Sequence, residues 1–216
     1  MKYLIIYDLD GTLVDTRKDI ADAANHMLHQ LARPSLSVAE ISGYVGRGLD
    51  QLIRGCLKTD DSLLLEQAKA SYRGYYAAHL LDHSRLYPGS REILEYFRMR
   101  KQAVFTNKPN PFSSDILIRL CVMDYFCELI TGDAAYPKKP DPAAVFAIMD
   151  KTKVKAQDTV FVGDSPLDVE TGRAAGVLTI GIAQGFATKD ELVAANPDVL
   201  LDNLHELLDL AKRQEW

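Results

Sequence analysis

The hydrophobic pattern opens with YLIIY, five apolar or aromatic residues at successive positions from Tyr3 to Tyr7, and breaks at Asp8. An unbroken run of this length marks a strand covered on both faces in a parallel sheet. From Thr16 to about Asp82 nothing reads as a strand, and apolar residues recur at helical spacing through stretches such as SLLLEQAKASYRGYY. Thr16-Arg17-Lys18-Asp19 and Ser37-Val38-Ala39-Glu40 both match the box of residues that caps a helix start. After a turn at Tyr87-Pro88-Gly89, helix and strand alternate through SREILEYFRMR, AVFTNK, PFSSDILIRLC, ELITG, DPAAVFAIMDKTK, TVFVGD, PLDVETGRAAG, VLTIGI, KDELVAAN, DVLLD and NLHELLDLAKR.

This alternation predicts right-handed crossovers and an α/β fold, a Rossmann-like parallel sheet with helices on both faces. The first strand then belongs with the second half of the chain. The expected organisation is a core of residues 1–14 and 84–216, with an all-helical cap of residues 15–83 inserted after the first strand.

Composition narrows the class. The 216 residues, 47% hydrophobic and 25% charged, have the balance of a globular protein with one sizeable core. A net charge of -5 argues against a nucleic-acid partner, so an anionic ligand must be met by a metal or a few placed cations. The apolar run at Tyr3 is too short for a signal-peptide core and no later stretch reaches membrane-spanning length, which predicts a cytoplasmic protein with no membrane partner. Cys56, Cys121 and Cys127 form neither an even framework nor a Cys-x-x-Cys pair, and are expected to be reduced, small buried residues.

In open parallel sheets, sites form at the carboxyl ends of the strands. Asp8 ends the first strand, Thr106, Asn107 and Lys108 the second, Gly132 and Asp133 follow the third, and Gly163, Asp164 and Ser165 end the fourth. Residues two apart on a strand share a face, so Asp8 and Asp10 point into one cavity while Leu9 packs elsewhere. With Asp164 and Asp168 nearby, these carboxylates repel one another unless a cation sits among them. A set of oxygen ligands favours a hard ion, Mg²⁺ ahead of Zn²⁺. His79 and His83 are four apart on a predicted helix, a spacing able to chelate a metal, but no third ligand accompanies them and they are expected on the cap surface.

Four ordered motifs, DLDGT at Asp8 to Thr12, TN at Thr106 and Asn107, KP at Lys139 and Pro140, and GDSPLD at Gly163 to Asp168, resemble those of the haloacid dehalogenase-like hydrolase superfamily over nearly the whole chain. The small helical cap, its Gly-x-Gly stretch, YPG and KKPDP further resemble the phosphoglycolate phosphatase group. The resemblance implies that Asp8 is the nucleophile that attacks phosphorus and becomes an aspartyl-phosphate. It implies that Asp10 protonates the leaving alcohol and then deprotonates water. Mg²⁺ would be held by Asp8, the backbone carbonyl of Asp10, and Asp164, with Asp168 behind the metal or joined to it through water. Thr106, the Asn107 backbone and Lys139 would hold the phosphoryl oxygens. Lys138 competes for the lysine role, but Lys139 directly precedes Pro140. Gly11, Thr12, Ser165 and Asp168 are expected to support the site.

The expected activity is Mg²⁺-dependent hydrolysis of a small phosphorylated metabolite, phosphoglycolate-like, by a monomer or homodimer. Pyrophosphatase, sugar-phosphate and nucleotide phosphatase activities stay open, as does a mutase like β-phosphoglucomutase. Dehalogenases of the family lack the second aspartate, here Asp10, and a non-enzymatic phosphate-binding domain would not need Asp8, Asp10, Lys139 and Asp164 together. Arg47, between Gly46 and Gly48 on the cap, is the candidate for reading a carboxylate on the leaving group, because guanidinium fits carboxylate.

Overall fold

The structure, a computed structural model, describes residues 2–216. Strand β1 (Leu4–Tyr7) is followed by a two-residue strand β2 (Val14–Asp15), four helices α1 (Arg17–Gln30), α2 (Val38–Ser42), α3 (Leu49–Leu57) and α4 (Ser62–Ala78), and a second short strand β3 (Arg85–Leu86). Alternation then runs through α5 (Ser90–Tyr96), β4 (Lys101–Phe105), α6 (Phe112–Arg119), β5 (Glu128–Ile130), α7 (Ala143–Thr152), β6 (Thr159–Gly163), α8 (Pro166–Ala174), β7 (Leu178–Ile182), α9 (Lys189–Ala195), β8 (Val199–Leu201) and α10 (Leu204–Arg213).

The long strands form one parallel sheet in the order β5-β4-β1-β6-β7-β8, as the alternation predicts. Tyr3 is exposed, and every residue of β1 is buried. Ile5 and Tyr7 enter one hydrophobic layer, which continues through α5, α10 and the helical insertion, while Leu4 and Ile6 enter a second layer with Ala144, Val145 and Ile148 of α7. Helices on both faces explain why the run is apolar at every position. Each such side chain contributes about 1.5–3 kcal/mol by leaving water.

The helical insertion hangs from an antiparallel ribbon in which Val14 pairs with Leu86 and Asp15 with Arg85. We propose residues 15–83 as the inserted module on this ground: the chain leaves and returns through the ribbon. Leu13 O fixes the return, accepting from Tyr87 N at 3.0 Å and Ser90 Oγ at 2.8 Å. Within the insertion α1 packs along α4, burying Ala23, Ala24, Met27 and Leu28 in one layer with Leu65, Ala68, Tyr72 and Tyr76.

Several local expectations are corrected. The capping box at Ser37 and Glu40 forms, but the one at Thr16 and Asp19 does not. The Thr16 hydroxyl donates to Asp10 at 2.6 Å, and buried Asp19 accepts from Ser84 N at 2.7 Å, Ser84 Oγ at 2.6 Å and His83 N at 3.0 Å. Partners outside the helix satisfy these two side chains, so neither is left to cap α1. Helix α4 ends at Ala78, so His79 and His83 do not share a helical face; His79 is half-buried and binds Asp82 at 2.7 Å, and His83 is exposed. All three cysteines are free, but only Cys56 is buried; Cys121 and Cys127, in the turns flanking Met123–Tyr125, are exposed.

Candidate active site

Asp8, Thr106 and Asp164 directly follow β1, β4 and β6, three adjacent strands, so the sheet delivers two carboxylates and a hydroxyl to one rim. The winding reverses at β1, where open parallel sheets place their sites. Lys139, on the loop between β5 and α7, is buried and puts its ammonium 2.8 Å from Asp8 and 2.7 Å from Asp168. The other oxygen of Asp168 accepts from Ser165 N at 3.0 Å and Ser165 Oγ at 2.6 Å, closing a capping box at the start of α8. Both Asp168 oxygens are thus engaged in holding Lys139 and the helix start. Lys138, by contrast, lies against the insertion: a Cβ on Gly48, at φ +90°, would sit 2.9 Å from its ammonium.

Asp164 is held by the Thr12 hydroxyl at 2.8 Å and the Phe186 backbone N–H at 2.8 Å. Gly11 is required beside it: its φ is +87°, and a Cβ would lie 2.2 Å from the Asp164 carboxylate. The Asn107 side chain accepts from Lys139 N at 2.9 Å and donates to Lys139 O at 3.2 Å, fixing the lysine's backbone. Its amide also donates to Gly46 O at 2.8 Å, tying the insertion to the rim. Asp10 is held apart from Asp8's lysine: Lys108 donates to its two oxygens at 3.0 and 3.1 Å, and Thr16 to one of them.

Burial raises the Asp8 carboxyl to about 7, with Lys139 opposing and Asp168 and Asp10 adding to the rise. Burial likewise pushes Asp164 well above the usual carboxylate range, reinforced by Asp8 and Asp168. Burial works against the Lys139 ammonium, but Asp168 and Asp8 outweigh it and hold the lysine charged.

Between rim and insertion lies a cleft of about 660 Å³, its open mouth included. Asp8, Asp10, Thr106, Asn107, Lys139, Asp164 and Ser165 line its floor, so the core motifs converge on one cavity. The facing wall is apolar and aromatic: Ile20, Val45, Leu49, Leu52, Tyr72, Tyr76 and Phe112. Arg47 is exposed and outside this lining, which its neighbours Gly46 and Gly48 enter. Lys108 reaches the rim as its place at the end of the second strand predicts, though no role was assigned to it, and the tyrosine pair was not among the residues expected here. Lys108 directly follows Thr106 and Asn107, and Tyr72 and Tyr76 are four apart on one face of α4, patterns that carry this placement once the cleft is known.

A family model described as haloacid dehalogenase-like hydrolase matches residues 5–182. The chain belongs to this family. Among relatives of this hydrolase, a phosphoglycolate phosphatase of Vibrio parahaemolyticus is 38% identical over 218 residues, covering 96% of this chain and 95% of the relative. One from Pseudomonas putida is 36% identical over 214 residues, covering 95% of this chain and 78% of the relative. A solved structure described as a predicted phosphoglycolate phosphatase from Haemophilus somnus superposes with a TM-score of 0.92 at 28% identity, covering 97% of this chain and 98% of that one.

Phosphatases of the haloacid dehalogenase-like family use a divalent metal, and the residues here fit one. One oxygen from each of Asp8, Asp164 and Asp168 lies within 4.8 Å of the others, all three residues are buried, and Lys139 is the single ammonium between them. With all three ionised, three carboxylates against one ammonium carry a double negative charge, the complement of a divalent ion. No helix among the described residues is long and apolar enough to cross a membrane.

Proposed function

We propose that this phosphoric monoester hydrolase cleaves a small phosphorylated carboxylic acid of the phosphoglycolate kind, through an aspartyl-phosphate on Asp8 and with Mg²⁺. The observation that carries the mechanism is the Asp8 carboxylate on the cleft floor, buried, with the Lys139 ammonium 2.8 Å away. An Asp8 oxygen attacks phosphorus as the bond to the ester oxygen breaks, and Asp10 gives that oxygen its proton. Water then attacks the phosphorus of the aspartyl-phosphate, Asp10 takes a proton back, and orthophosphate leaves as Asp8 is restored. Lys139, Thr106 and the Asn107 backbone hold the phosphoryl oxygens as charge develops on them.

Mg²⁺ would be held by Asp8, Asp164 and the Asp10 carbonyl, and it supplies charge neutralisation at the phosphoryl oxygens. Asp168 serves the site through Lys139, since both of its oxygens are engaged by Lys139 and Ser165. The phosphoglycolate assignment draws on the relatives from Vibrio parahaemolyticus and Pseudomonas putida. The test is a panel of phosphate monoesters assayed with MgCl₂. Hydrolysis of 2-phosphoglycolate that disappears in Asp8→Asn is the expected result; hydrolysis that survives that substitution contradicts the mechanism.

A further inference from the structure

We propose that Lys108 is the residue that reads the leaving group, and that it selects a short carboxylate. The assignment rests on the proposed function for the position of the ester oxygen beside Asp10. Two cations line the cleft among the described residues, Lys108 and Lys139. Lys139 is committed to Asp8 and Asp168, at 2.8 and 2.7 Å. Lys108 stands on the other side, toward the insertion, with its ammonium at 3.0 and 3.1 Å from the Asp10 oxygens and 4.7 Å from the centre of the Tyr76 ring. The two lysines therefore divide the cleft, one at the attacked phosphorus and one beyond the acid that serves the leaving oxygen.

A leaving group bonded to that oxygen extends past Asp10 into the space bounded by Tyr72, Tyr76, Leu49 and Leu52. In such a wall a buried ammonium is costly unless an anion meets it; Asp10 fills that place in the free protein, and a substrate carboxylate can take it over. A carboxylate one carbon from the ester oxygen arrives beside Lys108, and a charge-assisted hydrogen bond forms there. Asp10 keeps a donor when Lys108 turns to the substrate, because the Thr16 hydroxyl holds it at 2.6 Å. The Tyr76 ring, packed edge-on against Phe112 at 5.1 Å, keeps the ammonium on this wall. Arg47, exposed and outside the lining, is not placed to make this contact.

The experiment compares kcat/KM for 2-phosphoglycolate with kcat/KM for ethyl phosphate, which has the same short chain without the carboxylate. The readout is the ratio of the two, so a general effect of Lys108 on Asp10 cancels. Lys108→Met, checked for folding by circular dichroism, is expected to lower the ratio by about ten- to a hundred-fold, the worth of one charge-assisted contact. Lys108→Arg, which keeps the charge, is expected to retain a preference that Lys108→Met loses. An unchanged ratio in Lys108→Met, with both rates falling together, overturns the assignment. So does a ratio lost in Arg47→Ala and kept in Lys108→Met. In either case, Asp8-dependent hydrolysis of ethyl phosphate leaves the proposed function standing, whereas its absence from the wild type, together with that of 2-phosphoglycolate hydrolysis, removes the function itself.

Discussion

Lys139 places its ammonium 2.8 Å from the Asp8 carboxylate, with both residues buried. Substituting the lysine leaves Asp8, Asp164 and Asp168 facing one another without a counterion. Lys139→Met is expected to destabilise the metal-free protein by about 3–5 kcal/mol, the cost of breaking a buried pair. Turnover should fall by about 10²–10³-fold through loss of charge stabilisation. Urea unfolding and steady-state kinetics check the two parts separately.

The raised carboxyls give the metal-free protein a distinctive pH dependence. An unfolded aspartate ionises near about 3.9, whereas Asp8 in the folded, metal-free protein does so at about 7. Between those values the folded state binds more protons than the unfolded one, so stability falls as pH rises through this window. Asp164, shifted in the same direction, adds to the fall. A divalent metal binds the ionised carboxylates, so the rise in Tm given by MgCl₂ over EDTA should grow from about pH 5 to about pH 8. A shift independent of pH would contradict this account of the cluster.

Asn107 joins the two halves of the cleft, with one amide shared between Gly46 O at 2.8 Å and Lys139 O at 3.2 Å. Asn107→Ala removes three hydrogen bonds and leaves backbone groups unpaired, a loss of about 1–3 kcal/mol. Faster hydrogen exchange at Val45 to Leu49, alongside a lower kcat/KM, is the expected result. Exchange unchanged in that segment would show that the insertion is held by other contacts.

Beside the β2–β3 ribbon, Asp19 accepts from Ser84 N at 2.7 Å and Ser84 Oγ at 2.6 Å, linking α1 to the returning chain. Asp19→Ala strands buried donors and should lower stability by about 2–3 kcal/mol. Asp22, half-buried on the same helix and paired with Lys18, should tolerate the same change within about 0.5 kcal/mol. Thermal unfolding of the two variants measures the contrast.

The parallel sheet was legible because strands covered on both faces carry unbroken apolar runs, as in Leu4–Tyr7 and Thr159–Gly163. The rim residues were legible because they follow those runs directly. Strands β2 and β3 were not, since two residues have no period to read. Thr16 and Asp19 misled for a different reason: their sequence spacing fits a cap, but partners at Asp10 and Ser84 satisfy their side chains first. The rim position of Lys108 was legible but its role was not, because its surroundings depend on Tyr76, which α4 brings across the cleft from a segment with no local link to it.

The central claim is that Asp8 carries the phosphoryl group between substrate and water. Rapid acid quench with substrate labelled at phosphorus tests it most directly. The account predicts a hydroxylamine-labile label on the wild-type protein, mapped to the peptide containing Asp8 and absent in Asp8→Asn. Full turnover with no protein-bound label at any quench time, or a label that persists in Asp8→Asn, would contradict it.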